Sequence, residues 1–354
     1  VHPVDALRRT AFLLEREQAA TPRVKAFRTA ATVLGGLPEE ELAQRVAAGT
    51  LTELRGVGPR TAAVATQAAQ GLEPDYLAEL EERRRASGDL VELDDDAAAL
   101  LAALRGDLHV HTDWSDGGSP PQEVAATAVE LGHEYLALTD HSGGLRVANG
   151  LSPRRLERQL DLVDALAGQL APFRLLSGIE VDITEDGGLD CPDELLERVD
   201  VVVASVHSKL GGRSSSEEMT ARMLGALEHP RVRVLGHCTG RLVAKGADQP
   251  TSRRPAQRPE APFDAAAVFA RCAQRGVAVE VNARPERLDP PMRLLRQALE
   301  AGCLVSIDTD AHAPGQLDWR AFGAARAAAA GVDHGRVVTT WPVERLLGWL
   351  RVAG

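Results

Sequence analysis

Seven apolar, β-rich runs recur between residues 106 and 313, and each ends in or lies beside a side chain able to hold a metal ion. They are Asp107–His111, Tyr135–His141, Leu175–Glu180, Val201–His207, Val232–His237, Val277–Asn282 and Leu304–His312. Side chains alternate along a strand with period two, so His109 and His111 point the same way, as do Asp310 and His312. Each pair can serve one site. Stretches of helical spacing separate the runs, among them Pro121 to Leu131, Pro153 to Leu170 and Ala265 to Arg275, so strand and helix alternate as in a parallel barrel. Such barrels carry their chemistry at the carboxyl ends of the strands, where these donors fall.

Upstream, the period changes to that of helices: Val4 to Arg16, Arg23 to Leu34, Glu39 to Ala48 and Pro59 to Ala69, with Gly35-Gly36 and Gly49 as stops. Tyr76 to Leu104 is charged and rich in Ala and Leu, and the acidic run Asp94 to Asp96 marks a helix start. The predicted organisation is a small helical domain over 1–70, an acidic helical linker over 71–105 and an α/β barrel over 106–354. Lys245 to Pro262, rich in Pro, Arg, Gln and Ser, lacks hydrophobic period and reads as a mobile loop after the fifth strand, on the active face.

Composition narrows the class. The chain of 354 residues, 44% hydrophobic, has no apolar run long enough to span a membrane and no secretory leader pattern, so a cytoplasmic protein without membrane association is expected. Cys191, Cys238, Cys272 and Cys303 form no Cys-x-x-Cys pair and are expected as free, buried thiols. The net charge of −11 argues against indiscriminate nucleic-acid binding, yet it is uneven: residues 1–70 are slightly basic and 71–100 strongly acidic.

A cluster of divalent transition-metal ions draws on imidazole and carboxylate donors. The strand ends offer nine: His109, His111, Asp116, His141, Glu180, His207, His237, Asp310 and His312. Alone, each reads as an ordinary polar side chain, and His2, His133, His229 and His334 keep that reading. Together they do not, because burying so many donors without a cation costs about 1 to 3 kcal/mol for each unpaired group. Lys209, Arg241, Arg284 and Arg287 follow donor-bearing runs and are candidates to stabilise a phosphoryl group. Asp140 could orient the adjacent His141 or serve a turn. Trp114, between His111 and Asp116 in a chain of only 3% aromatics, is a candidate stacking platform.

The segment from Gly106 to about Trp341 resembles a polymerase and histidinol phosphatase (PHP) domain through His109-x-His111, Thr139-Asp140-His141, Glu180, Ser205-Val206-His207, Gly236-His237 and Asp310-x-His312. The resemblance implies a distorted seven-stranded β/α barrel with two or three divalent ions, manganese or zinc with iron as an admixture. It places one ion on His109, His111, Glu180 and Asp310, a second on Glu180, His207 and His237, and a third on Asp116, His141 and His312. Glu180 would bridge the first two, making it central to catalysis. Asp at position 116 resembles the branch attached to bacterial family X DNA polymerases. A bridged pair can lower the pKa of a water from ~15.7 toward ~7, which suits phosphoester hydrolysis.

Leu51-x-x-Leu54-x-Gly56-Val57-Gly58-x-x-x-Ala62 resembles a helix-hairpin-helix, whose Gly-hydrophobe-Gly turn brings backbone N–H groups to a DNA phosphate. Gly56, Gly58 and Arg60 would make that contact. The flanking Leu13 to Glu15, Val24 to Arg28 and Ala30-Ala31 resemble the small amino-terminal domain of family X polymerases. No nucleotidyltransferase palm fits between residues 70 and 106, and the helix Pro59 to Ala69 lacks the Lys that related lyase domains use, so neither polymerase nor lyase activity is expected. The expected function is a metal-dependent phosphoesterase on DNA that processes 3′ ends as a 3′–5′ exonuclease or 3′-phosphatase, with abasic-site cleavage as a further activity. DNA ends would arrive through the amino-terminal domain. The alternatives are a small-molecule phosphatase of the histidinol-phosphate type and a non-catalytic DNA-binding repair scaffold.

Overall fold

The computed structural model describes residues 1–86, 91–243 and 257–351 and divides between Val91 and Glu92 into two units. Five α-helices build the first: α1 (Pro3–Arg16), α2 (Thr21–Gly35), α3 (Glu39–Ala48), α4 (Pro59–Ala69) and α5 (Asp75–Ala86). Val4, Leu7, Ala11 and Leu14 recur at helical spacing and form the buried stripe of α1, which shares a core with Phe27, Ala30 and Leu34 of α2. Arg28 closes this pair by donating to both oxygens of the buried Glu15, at 2.8 and 2.6 Å. Before α4 the chain turns at Gly56, whose φ of 96° only glycine adopts without strain and whose Cβ would lie 2.8 Å from Thr29 Cγ2.

The second unit opens with α6 (Asp95–Ala103), capped by Asp94, whose side chain accepts from Ala97 N at 2.8 Å. Then β1 (Gly106–Asp107), α7 (Pro121–Glu130), β2 (Tyr135–Leu138), α8 (Pro153–Ala167), β3 (Arg174–Asp182), the short α9 (Asp193–Leu196) and β4 (Val201–Ser205) alternate. They are followed by α10 (Ser216–Leu227), β5 (Val234–Leu235), α11 (Ala265–Arg275), β6 (Ala278–Asn282), α12 (Met292–Glu300), β7 (Leu304–Asp308), α13 (Arg320–Ala329) and α14 (Val343–Arg351). All seven strands are parallel and pair in sequence order, giving the expected seven-stranded β/α barrel.

Its distortion has a specific cause. At the β7/β1 seam, side chains replace a regular ladder: Asp308 Oδ1 accepts from Leu108 N at 2.8 Å, and Asp107 Oδ2 accepts from Thr309 N at 3.0 Å and Thr309 Oγ1 at 2.6 Å. This is why the predicted run Asp107–His111 contributes only two residues of regular strand. Period-two alternation sorts the rest. Leu176, Val201, Val203, Val234 and Ala278 share an apolar cluster with Tyr135, the first residue of β2, and with Leu346 and Leu350 of α14, so this cluster plugs the amino-terminal ends of the strands. Ile179, Val181, Val202 and Ala204 belong instead to the core that includes Met219, Val268 and Phe269 of the surrounding helices.

The expected acidic linker is not a separate element. Leu77 and Leu80 of α5 are buried in the core of the first unit, whereas Leu100 and Leu104 are buried in the second with Val305, Ile307 and Ala324. Apolar residues at helical spacing inside the charged stretch account for the division. Residues 87–90 lie outside the described residues, as do 245–256 of the segment expected as a mobile loop; its remainder pairs with the chain again through Leu242 and Arg258. All four cysteines are free, three of them buried and Cys191 half-buried. Among the described residues no helix is long and apolar enough to cross a membrane.

Candidate metal centre

The nine donors named from the sequence meet at the carboxyl ends of the strands, and Glu180 stands at their centre. Glu180, on β3, is 1% exposed. Its Oε2 lies 2.7 Å from His141 Nδ1, 3.3 Å from His109 Nε2 and 3.5 Å from His111 Nε2. Its Oε1 lies 2.8 Å from His237 Nε2 and 3.2 Å from His207 Nε2. Five imidazoles therefore share one carboxylate. Asp310 Oδ1 stands 3.4 Å from His111 Nε2, and Asp116 joins His141 at 3.6 Å and His312 at 3.4 Å.

Four groups of donor atoms each lie within 4.8 Å of one another: His111, Asp116, His141 and His312; His109, His111 and Asp310; His109, Glu180 and His237; and His141, Glu180 and His207. A test of fit comes from the unsatisfied atoms. His109 Nε2, both nitrogens of His111 and His207, His141 Nδ1 and Glu180 Oε2 are buried without hydrogen-bond partners. Native interiors tolerate few such atoms, and here they converge with lone pairs facing one another, as donors around cations must. Charge agrees. Burial opposes ionisation of Glu180, yet His109, His141 and His207 hold its carboxyl well below the usual range. Burial likewise disfavours a proton on His109, but Glu280 and Glu180 outweigh it and lift that imidazole well above the ordinary histidine range. Burial, with His312 and His141, instead pushes His111 down to about 3.

A second ring of side chains sets these donors, and most of it escaped the sequence reading. Glu280 on β6 is fully buried; its Oε1 lies 2.6 Å from His109 Nδ1, and its Oε2 accepts from His237 N at 2.5 Å. Asn282 Nδ2 donates to Glu280 and to Asp310 Oδ2, both at 3.2 Å. Asp182 Oδ1 accepts from His207 N at 3.1 Å and lies 3.4 Å from His207 Nδ1. The available signal was an acid at the inward register of an apolar strand, as in Ala278-Val-Glu280-Val-Asn282. Gly236 is required beside His237, because a Cβ there would lie 2.2 Å from Ser205 Oγ. Buried Arg222 ties the loops after β3 and β4 together, donating to Ile183 O, Thr184 O and Ser208 O at 2.5, 3.1 and 3.1 Å.

The cations divide. Arg284 lies 3.0 Å from His312 Nδ1 and 3.7 Å from Asp310 Oδ1 and is balanced by Glu286 at 2.7 Å, while Arg287 Nε lies 2.9 Å from Asp310 Oδ2. Both border the donors. Arg241 does not present a free charge: it donates to Arg287 O at 3.0 Å and to Leu288 O, and so holds the turn that carries Arg287. Lys209 pairs with Glu185 at 2.7 Å and is half exposed. Asp140 accepts from Thr112, Ser115 and Gln159 and pins the loop bearing Asp116. Trp114 is half-buried against the apolar core, which leaves it less free as a platform than its position in the sequence suggests. In the first unit Gly58 caps α4, its N–H donating to Thr61 Oγ1 at 3.0 Å, and exposed Arg60 lies over the Tyr76 ring at 4.9 Å.

Comparison with known proteins places these features in families. Residues 107–284 match the family described as PHP domain, and residues 2–71 match that described as helix-hairpin-helix domain. The chain is 38% identical over 236 residues to the DNA polymerase/3′-5′ exonuclease PolX of Bacillus subtilis, covering 66% of this chain and 39% of that protein. It is 32% identical over 178 residues to a probable phosphatase of Syntrophotalea carbinolica, covering 50% of this chain and 64% of that one. It thus spans less than two thirds of either relative. Among solved structures, a histidinol phosphate phosphatase from Lactococcus lactis complexed with zinc, L-histidinol and phosphate aligns with 65% of this chain and 94% of its own, at 16% identity and a TM-score of 0.43.

Proposed function

The chain belongs to the PHP domain family and carries a helix-hairpin-helix domain ahead of the barrel, and we propose that it is a metal-dependent phosphoesterase that processes the 3′ ends of DNA. The observation that carries the hydrolase reading is Glu180, whose two oxygens are shared among five imidazoles with Asp310 and the Asp116–His312 pair alongside. Divalent ions held there would acidify a water and neutralise phosphoryl oxygens. His109, His111, Glu180 and Asp310 would hold one, Glu180, His207 and His237 a second, and Asp116, His141 and His312 a third. Arg284 and Arg287, beside Asp310 and His312, supply positive charge where a phosphate would enter.

DNA as substrate rests on the first unit. Gly58, beside which a Cβ would meet nothing within 4 Å, leaves the N-terminus of α4 free of a bulky side chain, so the Arg60 N–H and side chain would be available to a phosphate. The second reading, a small-molecule phosphatase, is favoured by one fact: the barrel unit supplies all nine donors by itself. A panel of labelled single strands, recessed and 3′-phosphate ends, abasic duplex and histidinol phosphate, each with manganese and with zinc, separates the two. Release of nucleotides or phosphate from 3′ ends is expected. Turnover confined to histidinol phosphate overturns the DNA reading.

A further inference from the structure

A cavity of about 260 Å³ lies between two loops that leave the carboxyl ends of β2 and β3, the strands that lead to His141 and Glu180. Its walls are mostly apolar, with Leu151, Leu156, Leu189, Cys191 and Pro192, and Thr184 and Asp190 are its polar lining residues. Both loops are tied to the donors. Leu151 N donates to His141 O at 2.7 Å, Asp182 N donates to Ser142 Oγ at 3.0 Å, and Asp190 N donates to Asp182 O at 3.0 Å. Asp182 in turn meets His207. Asp190 Oδ2 accepts from Gly144 N, and its Oδ1 has no hydrogen-bond partner among the described residues. Gly144 is needed there, since a Cβ would lie 2.6 Å from that carboxylate. Burial, Asp190 and Asp193 push the Cys191 thiol up to about 12, so it stays uncharged and serves as an apolar wall.

We propose that this cavity binds a flat heteroaromatic ring bearing an N–H donor, carried by the phosphate ester whose phosphoryl group occupies the candidate metal centre. The proposal rests on the phosphoesterase reading. Leucine and proline walls favour a ring over a charged or hydrated group, the free carboxylate oxygen selects one with N–H to donate, and the negative charge of Asp190 disfavours a phosphate in this cavity. Two sources carry such a ring: the terminal base of a DNA strand, or the imidazole of a small amino-alcohol phosphate.

Equilibrium binding with manganese present tests it, using deoxynucleoside monophosphates, histidinol phosphate and ringless glycerol phosphate as probes. Unmodified protein should bind at least one ring-bearing probe about tenfold or more tightly than glycerol phosphate. Leu189→Trp, which fills the cavity, should bring that ratio close to one. Asp190→Asn, whose amide oxygen can still accept from Gly144 N, should lower it severalfold. Both variants should keep the parent's metal equivalents; if Leu189→Trp does not, Asp190→Asn decides alone. Equal binding of ring-bearing and ringless probes, or ratios unchanged in the variants, overturns the pocket. A response confined to nucleotides identifies the base as occupant, and one confined to histidinol phosphate identifies the imidazole and removes the DNA substrate. Ring-dependent binding without turnover of any ester leaves the pocket standing and removes the phosphoesterase reading.

Discussion

Replacing Glu280 by Gln tests whether the metal centre depends on a side chain that never reaches the ions. Glu280 accepts three times, from His237 N, from Asn282 Nδ2 and from His109 Nδ1, and all three residues are buried. With Nδ1 donating to Glu280, His109 would offer the lone pair of Nε2, 3.3 Å from Glu180, to an ion bound between them. A Gln side chain has the same shape but one acceptor. If its amide oxygen faces His109, its NH₂ meets the donors His237 N–H and Asn282 Nδ2 and leaves buried donors without an acceptor. If its NH₂ faces His109, the imidazole must shift its proton to Nε2 and cease to be a ligand. An unsatisfied buried group costs about 1 to 3 kcal/mol, so either arrangement should weaken an ion by roughly ten- to a hundredfold, the range found for partners of ligating histidines. Titration of the ion-free variant with manganese or zinc, followed by calorimetry and by phosphoester turnover, reads this directly. Activity should return as metal concentration is raised. Unchanged affinity and turnover in a folded Glu280→Gln protein would refute the tautomer argument.

Glu180→Ala should abolish turnover and release more than one metal equivalent, because a single carboxylate serves several donor groups; elemental analysis showing the parent's metal content together with full activity would rule out the bridge. His133, 6% exposed and with no hydrogen-bond partner for either ring nitrogen, is pushed down to about 3 by burial and Arg320. Below pH ~6.5 the unfolded chain therefore takes up a proton that the folded chain refuses, and stability should fall by up to about 1.4 kcal/mol per pH unit down to pH ~3. His133→Gln should flatten that slope in denaturant titrations, and curves parallel to the parent's would contradict the burial argument. Arg60→Ala should weaken duplex binding and lower the log–log salt slope by about one; an unchanged slope would remove Arg60 from the DNA contact.

The order of apolar runs by itself determined a seven-stranded barrel, and the period-two pattern determined which side chains of each run share a face, because both follow from local backbone geometry. The first four helices of the first unit were equally legible, since their stripes and glycine stops are local. What only the tertiary structure decided is how residues distant in sequence meet. Five imidazoles converge on Glu180 from four separate segments. Glu280, in no sequence motif, meets His237 because parallel pairing brings β6 beside β5, and meets His109 because strands distant in sequence face one barrel interior. Arg241 and Asp140 read as site residues by proximity in sequence, yet their hydrogen bonds commit them to holding turns. The acidic stretch 71–105 looked like one element because charge is visible in a sequence, whereas its division depends on two different cores receiving Leu80 and Leu100. Burial and hydrogen-bond satisfaction are properties of the whole packed chain, and no window of sequence contains them.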